Sequence, residues 1–447
     1  FGVLLSESVS LMGELSVLSG ARLRLDGSLL MLPLSQASHT VNGDIVGSGA
    51  ISILGASSLN STSASGAISN LLIDAGNEQH VTLTDLLRID SFTLRSGLVT
   101  LDFLDATEPL TITAEIIQSG GILNLNRDVL LGNETLAGSW MSSGGGVIIS
   151  PQYDIVLSAG SELQLTANSS WTLGTSDESS AETAGFIIFS GQGRISSETP
   201  LPRLKLVPAS ADENDIILTG DVTVSDALFT RGVDLFLGPN TFTLSGTSWS
   251  HEVDQQPERA AGIIYGNFAG NGGQFVLSGT TMLSMGGDLR FNFASFSVLN
   301  SASDVVQVES SDESIHNIIL VNRRFEIGSG RLNLGSVDLI LEGNIDPLLI
   351  LGGGSIGGEA NPETPAWWPP NAEFDSNLFP FNDDRYGEVV MSGLTNSSIH
   401  ASAASTITNL RVNRSVRLSD STSTITVSNR FVFGENGAAV SAVTKNR

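Results

Sequence analysis

The sequence predicts an all-β fold: a single-stranded parallel β-helix, or β-solenoid, with one long projecting loop. Three observations support this prediction. Apolar and polar residues alternate with a period of two. Small residues, above all glycine, return at the same place relative to the alternating stretches. No long segment combines a 3.6-residue period with helix caps, so we expect very little helix.

A short phrase recurs along the chain: an alternating apolar stretch, a small residue or Ser-Gly pair, a second alternating stretch, and a polar turn. One copy runs from Leu94 to Leu101 around Gly97, and the most regular one runs from Phe325 to Gly343 around Gly330. Such repetition is typical of a solenoid, in which each coil stacks on the next. We expect coils of roughly 20–30 residues with glycine at the corners.

Strand character is strongest in three continuously apolar runs, at residues 147–149, 216–218 and 318–321. Runs of this kind are typical of buried strands. Turn signals follow one another too closely for long Greek-key crossovers, which favours a solenoid. A tandem of β-sandwiches is the main structural alternative.

The longest departure from the pattern lies at residues 352–388. It contains four prolines before Asn371, at positions 362, 365, 369 and 370, and prolines of this density prevent regular ladder pairing. The predicted organisation is therefore a solenoid at 1–351, an insertion loop at 352–388 and final coils at 389–447.

Composition limits the chemistry. The chain has no cysteine, which excludes thiolate zinc sites, iron–sulfur clusters and a cysteine nucleophile. It carries 21 basic and 47 acidic residues, a net charge of −26, and such a field repels nucleic acid and anionic membranes. The only lysines are Lys205 and Lys445. Both a high-salt habitat and simple compositional bias fit this scarcity.

The sequence begins at Phe1, within an apolar segment that no basic region precedes. We therefore expect a processed or trimmed chain, whose missing beginning could have held a signal peptide. No stretch approaches the roughly 20 uninterrupted apolar residues of a membrane span. We expect no membrane insertion of this chain.

The insertion holds the most distinctive side chains. Trp367 and Trp368, followed by Phe379 and Phe381, lie among its prolines and are candidates for contact with a glycan or a partner protein. The alternative is that both indoles fold back over the solenoid and cover apolar surface.

Paired carboxylates suggest calcium, which prefers six to eight oxygen ligands. The best candidates are Asp383 and Asp384, with Asp375 nearby. Other acidic clusters lie at residues 177–178, 212–215 and 312–313. None matches a known calcium-loop pattern, and a solvated turn is the favoured interpretation of each cluster. We expect no cofactor other than possible calcium.

Catalysis has little support in the sequence, and we expect no enzyme. The chain lacks a Gly-x-Ser-x-Gly elbow and a His-Glu-x-x-His pair. Its histidines lie in unrelated local contexts: His39, His80, His251, His316 and His400. A polysaccharide lyase is the least favoured alternative, since carboxylates from separate coils cannot be recognised in a sequence.

The phrases from Leu204 to Gly246 and from Asn409 to Gly434 resemble the degenerate repeats of bacterial secreted β-solenoids. These include surface adhesins, autotransporter-like passengers and extracellular filament proteins. The resemblance implies an extracellular or cell-surface location and a structural role in a fibre or surface layer. A glycan-binding adhesin or tail-spike-like protein is the alternative. We expect self-association, possible glycan binding and no nucleic-acid partner.

We expect self-association through the ends or the faces of the solenoid, and the ends expose strand edges that another chain can pair with. The apolar start of the chain provides Phe1, Val3 and Leu4, and the last strand phrase provides Phe431 and Phe433. We expect these five residues to form the assembly edges.

Overall fold

A computed structural model describes most of the chain. The described residues are 2–61, 66–85, 88–102, 108–174, 185–207, 215–231, 234–246, 248–252, 273–285, 290–310, 317–342, 347–357, 387–392, 397–413, 416–418, 423–433 and 440–442. Within these residues there are 44 β-strands and no helix. The chain divides into two compact units, Phe1–Thr223 and Val224–Arg447.

Short strands build the described part of the first unit. They are β1 Gly2–Leu5, β2 Val9–Ser10, β3 Ser16–Val17, β4 Arg22–Leu25, β5 Leu29–Leu32, β6 Ala37–Val41, β7 Asp44–Val46, β8 Ala50–Ile53, β9 Ser57–Asn60, β10 Ala67–Asp74, β11 His80–Thr84, β12 Arg88–Ser96, β13 Leu98–Asp102, β14 Leu110–Gln118, β15 Ile122–Leu125, β16 Val129–Leu131, β17 Ser139–Ser142, β18 Gly145–Ile149, β19 Ile155–Leu157, β20 Ser161–Leu165, β21 Ser169–Leu173, β22 Ile187–Ser190, β23 Gly193–Ser197, β24 Leu201–Val207 and β25 Asp215–Leu218.

The second unit begins within β26. Its strands are β26 Val222–Arg231, β27 Asp234–Phe236, β28 Thr241–Leu244, β29 Ser248–Glu252, β30 Gln274–Leu277, β31 Thr281–Met285, β32 Arg290–Val298, β33 Val305–Ser310, β34 Ile318–Ile327, β35 Arg331–Asn333, β36 Asp338–Leu341, β37 Leu348–Gly352, β38 Ser355–Gly357, β39 Val389–Met391, β40 Ser397–Ala403, β41 Ser405–Val412, β42 Val416–Leu418, β43 Ile425–Phe433 and β44 Val440–Ala442.

Strand pairing confirms the predicted parallel β-solenoid. In the first unit each coil up to β21 contributes strands to three parallel ladders. The first ladder begins with β1, β4, β7 and β10, and the second begins with β2, β5, β8 and β10. Strand β10 belongs to both ladders because it bends through a corner, and β12 and β14 do the same. The third is an eight-stranded sheet of β3, β6, β9, β11, β13, β15, β18 and β21.

Inward-facing residues stack on their counterparts in the next coil and form the core. One buried stack in the first unit consists of Ile45, Ile68, Ile89, Ile112, Leu131, Leu157, Phe189 and Leu206. The chain between Leu157 and Phe189 is nearly twice as long as the chain between Phe189 and Leu206, yet each pair is in register. The coils are thus more variable in length than the sequence predicts, because corners can absorb extra residues without shifting the inward positions.

Aromatic side chains replace aliphatic ones in part of the second unit. Trp249 lies 4.9 Å from Phe275 and 4.8 Å from Phe291 between ring centroids, and Phe293 stacks on Phe296 at 4.7 Å. All five rings are buried. This cluster fills the interior of its coils as the aliphatic stacks do elsewhere.

Second-unit ladders continue across the predicted insertion. Ile356 of β38 pairs with Ile407 of β41, so β38 lies inside the range predicted as loop. Residues 358–386 lie outside the described part of the chain, and description resumes at Gly387. There the Glu388 Oε2 atom lies 2.6 Å from the Nε atom of Arg411, a largely buried ion pair.

The sequence suggested that the three continuously apolar runs are buried strands. In the structure they are not buried on both faces. Ile148 and Leu320 are half-buried, and Ile217 is exposed. Each strand of a coil has only one face toward the interior. Every second residue of such a run therefore points outward whatever its polarity.

Glycine forms the predicted corners. Gly97, Gly121 and Gly145 occupy successive coils with φ angles of 110°, 69° and 89°. A Cβ atom on Gly121 would lie 2.7 Å from the carbonyl oxygen of Gly97. Only glycine combines this conformation with so close a backbone approach.

Candidate assembly surface

The first coil, formed by β1, β2 and β3, has a face that no described strand covers. Val3 pairs with Leu23 and Val9 pairs with Leu30 in the second coil, and both leucines are buried core residues. Val3 and Val9 therefore occupy core positions. They are nevertheless 61% and 39% exposed. Within the described residues, these two core-position side chains are therefore left uncovered.

Other apolar side chains of residues 2–18 are also exposed. Leu4 is aligned with the exposed Arg24 and points outward, and it is 58% exposed. Met12 and Leu18 are 70% and 69% exposed. Together with Val3 and Val9 they form what we call the first-coil surface. Exposed apolar residues gathered in one coil are a candidate interaction site.

Backbone groups add directional bonding to the first-coil surface. Strand β1 is paired in parallel with β4 along its whole length, and within the described residues nothing pairs with its other edge. An edge strand presents a row of N–H and C=O groups that can pair with another strand. The surface can therefore accept one more parallel strand in register with β1.

Charges near the first-coil surface are mainly acidic. Glu7 and Glu14 are exposed in the first coil. The nearest basic groups are already paired: Arg22 with Asp44 at 3.3 Å and Arg24 with Asp26 at 2.8 Å between nitrogen and oxygen. Like-charged copies would repel each other at low ionic strength and less so as salt is added.

The second unit has a comparable edge at β43. Phe431 pairs with Leu410, which is buried, yet Phe431 is 54% exposed. Within the described residues β43 pairs with β41 alone. Of the five residues predicted to form assembly edges, Val3, Leu4 and Phe431 are thus exposed in the structure. Phe1 and the side chain of Phe433 lie outside the described residues.

A buried histidine lies directly beneath the first-coil surface, and sequence reasoning did not single it out. His39 is fully buried on β6, and its Nδ1 atom accepts a hydrogen bond of 3.0 Å from the backbone N–H of Leu15. Burial lowers the pKa of His39 below its ordinary value of 6.5, and the nearby Glu14 carboxylate opposes this shift. The signal in the sequence was the position of His39 within the strand Ala37–Val41, where it alternates in step with the inward-facing Ala37 and Val41.

An acidic corner lies further along the first unit. Arg127 is buried and donates a hydrogen bond of 2.6 Å to the carbonyl oxygen of Glu108. Burial lowers the pKa of Arg127, and the carboxylates of Asp85, Asp128 and Asp102 oppose that shift. No group of three or more potential metal-ligating side chains occurs among the described residues. The corner is therefore best explained as a structural charge cluster.

Several sequence candidates cannot be placed. The calcium candidates Asp375, Asp383 and Asp384 and the aromatic residues Trp367, Trp368, Phe379 and Phe381 all lie outside the described residues, as do the acidic pairs at 177–178, 212–213 and 312–313. Calcium and glycan binding therefore stay predictions. In the described part of the chain, no helix has the length and apolarity needed to cross a membrane.

Comparison with known proteins gives no relative. No protein-family model, no curated protein and no solved structure matches the chain.

Proposed function

We propose that this chain is an extracellular structural protein, a subunit or decoration of a cell-surface fibre or layer, that assembles through the ends of its solenoid. The observation that carries the proposal is the first-coil surface. It combines an edge of β1 that no described strand pairs with and two core-position side chains that lie exposed, Val3 and Val9. Pairing with a strand of another copy would cover both at once.

The occupant that fits this surface is a second copy of the chain. Its β43 strand pairs with β41 alone within the described residues and would extend the parallel ladder as the next coil does within one chain. Joining two different edges in this way is a heterologous contact, which repeats and so builds an open filament.

Acidic substitutions at the first-coil surface test the proposal. Val3→Asp and Val9→Asp place a carboxylate on a face that is already exposed in the single chain, so each should change stability by only about 0.5 kcal/mol. The same carboxylate buried in a joint should cost about 3 kcal/mol, or roughly 100-fold in Kd. Sedimentation velocity over a concentration series at moderate salt, with electron microscopy of the same samples, measures the difference.

The matched control is Leu136→Asp. Leu136 is 54% exposed and lies in a turn between β16 and β17, away from the first-coil surface. We expect it to assemble as the unaltered chain does. An unaltered chain that stays monomeric at all concentrations, or assembly that survives both valine substitutions, would refute end-to-end association.

A further inference from the structure

His39 interrupts an otherwise apolar stack. The register of the eight-stranded sheet places it in line with an inward residue from each later strand, namely Leu59, Leu83, Leu101, Leu125, Ile149 and Leu173. Every other member of the stack is leucine or isoleucine. A fully buried imidazole at this position replaces apolar contact with a polar group that needs a hydrogen-bond partner.

The imidazole binds the first coil through one hydrogen bond, in addition to the pairing of β1, β2 and β3 with the next coil. Because the N–H of Leu15 points at Nδ1, that nitrogen must be unprotonated and the neutral ring carries its proton on Nε2. The Nε2 atom is buried, and no hydrogen-bond partner for it occurs within the described residues. A second proton on Nδ1 would point at the N–H of Leu15, so that two hydrogen-bond donors face each other. It would also leave a positive charge in an apolar core.

Few charges can compensate for that protonation. Glu14, in the first coil, is the acidic group that acts on His39. Strands β3, β6 and β9, which pack around His39, carry no other ionisable side chain, and the inward residues of β4 and β5 are leucines. Arg22 and Arg24 of β4 are exposed and paired with aspartates.

We propose that His39 is a pH-sensitive latch that keeps the first coil docked at neutral pH and releases it in mild acid. Within the described residues, β1, β2 and β3 pair only with β4, β5 and β6, so this hydrogen bond adds to a single set of ladder contacts. If the proposed end-to-end assembly through the first-coil surface holds, the latch makes that assembly reversible by pH.

The direction of the effect follows from proton linkage. Burial lowers the pKa of His39 in the folded chain, so the unfolded coil binds the proton more readily than the folded one. Docking of the first coil is therefore fully stable above pH 6.5. It weakens as the pH falls from 6.5 toward the lowered pKa, and the loss levels off below that pKa.

Hydrogen exchange of the full-length chain, kept dilute, tests the latch itself. We expect protection of the backbone amides in β1 to β3, corrected for intrinsic exchange at each pH, to fall at least about tenfold between pH 7.5 and pH 5. Protection of β13, β15 and β18 should not change. Equal protection of the first coil at both pH values would overturn the proposal.

Two substitutions remove the titration in different ways. His39→Gln keeps a neutral acceptor for the N–H of Leu15, and His39→Leu restores the residue type found at Leu59. Both should abolish the pH response of the first coil. The matched control is His80→Gln, which alters an exposed histidine on β11 and should leave the response intact. A pH response that persists in His39→Gln would also overturn the latch.

Sedimentation of the same variants separates the latch from assembly. If the unaltered chain assembles at pH 7.5 and dissociates at pH 5 while His39→Gln stays assembled, both proposals hold. If no variant assembles but the exchange response depends on His39, the end-to-end proposal fails and the latch stands. Assembly that is insensitive to pH while the first coil opens would show that the latch does not control it.

Discussion

Leu339 and Val389 are partners in adjacent parallel strands although the whole predicted insertion lies between them in the chain. The next step of the same ladder, from Val389 to Leu410, takes less than half that length of chain. Leu349 and Ile399 span the insertion in the same way in the neighbouring ladder. One coil of the second unit is therefore much longer than its neighbour, and the ladders close across the extra residues.

This closure predicts that the insertion can be removed. Replacing residues 358–386 by a short Gly-Ser linker should shift the thermal unfolding midpoint by only a few degrees, because loop length contributes weakly to stability. The ion pair between Glu388 and Arg411, which lies where the chain returns, should survive. Circular dichroism melting of the shortened and full chains measures the effect.

The matched control for this deletion keeps the insertion and removes the ion pair between Glu388 and Arg411. Arg411→Met leaves the Glu388 carboxylate buried without this partner, and we expect a loss of about 3 kcal/mol. A shortened chain that unfolds at least as readily as this variant would contradict the idea that the ladders close independently of the insertion.

Gly121 and Gly20 separate two effects that the sequence cannot distinguish. Both have positive φ angles, 69° and 74°. A Cβ atom on Gly20 would meet nothing within 4 Å, whereas one on Gly121 would lie 2.7 Å from the carbonyl oxygen of Gly97. Gly20→Ala should therefore cost about 1 kcal/mol, from conformation alone, and Gly121→Ala about 3 kcal/mol or more. Urea unfolding of the two variants gives the comparison, and equal losses would show that the corner relaxes.

The fold could be predicted from the sequence because alternation and corner glycines are local signals. Leu94 to Leu101 around Gly97 shows both, and the structure forms strands on either side of that glycine. Register is not local. The chain from Leu157 to its partner Phe189 is long, and the chain from Phe189 to its partner Leu206 is short. Sequence spacing therefore could not show which residues of neighbouring coils pair with each other.

The candidate site was predictable only in part for the same reason. The apolar segment that contains Val3 and Leu4 can be recognised in the sequence, and both residues are exposed in the structure. His39 could not be recognised in this way, because its importance depends on the alignment with Leu59 and on the backbone of Leu15. Both relationships link residues of different coils, which only the register brings together.

Asp154 provides a second pH-dependent group, which acts in the opposite direction from His39. The Oδ1 atom of Asp128 accepts the N–H of Asp154, and the Oδ1 atom of Asp154 accepts the N–H of Phe186, each at 2.8 Å. Burial, opposed by the N–H of Phe186, raises the pKa of Asp154 above 3.8, and the Asp128 carboxylate raises it further. The folded chain therefore holds this proton more tightly than the unfolded chain does.

Stability from this group is consequently lost as the pH rises through the interval above 3.8. Asp154→Asn keeps an oxygen acceptor for Phe186 and removes the charge, so it should raise the unfolding midpoint at pH 7 and have little effect below pH 3.8. Glu134→Gln, which removes an exposed carboxylate from the same unit, controls for the change in net charge. Equal stabilisation by both variants would mean that the gain comes from overall charge and not from the buried site.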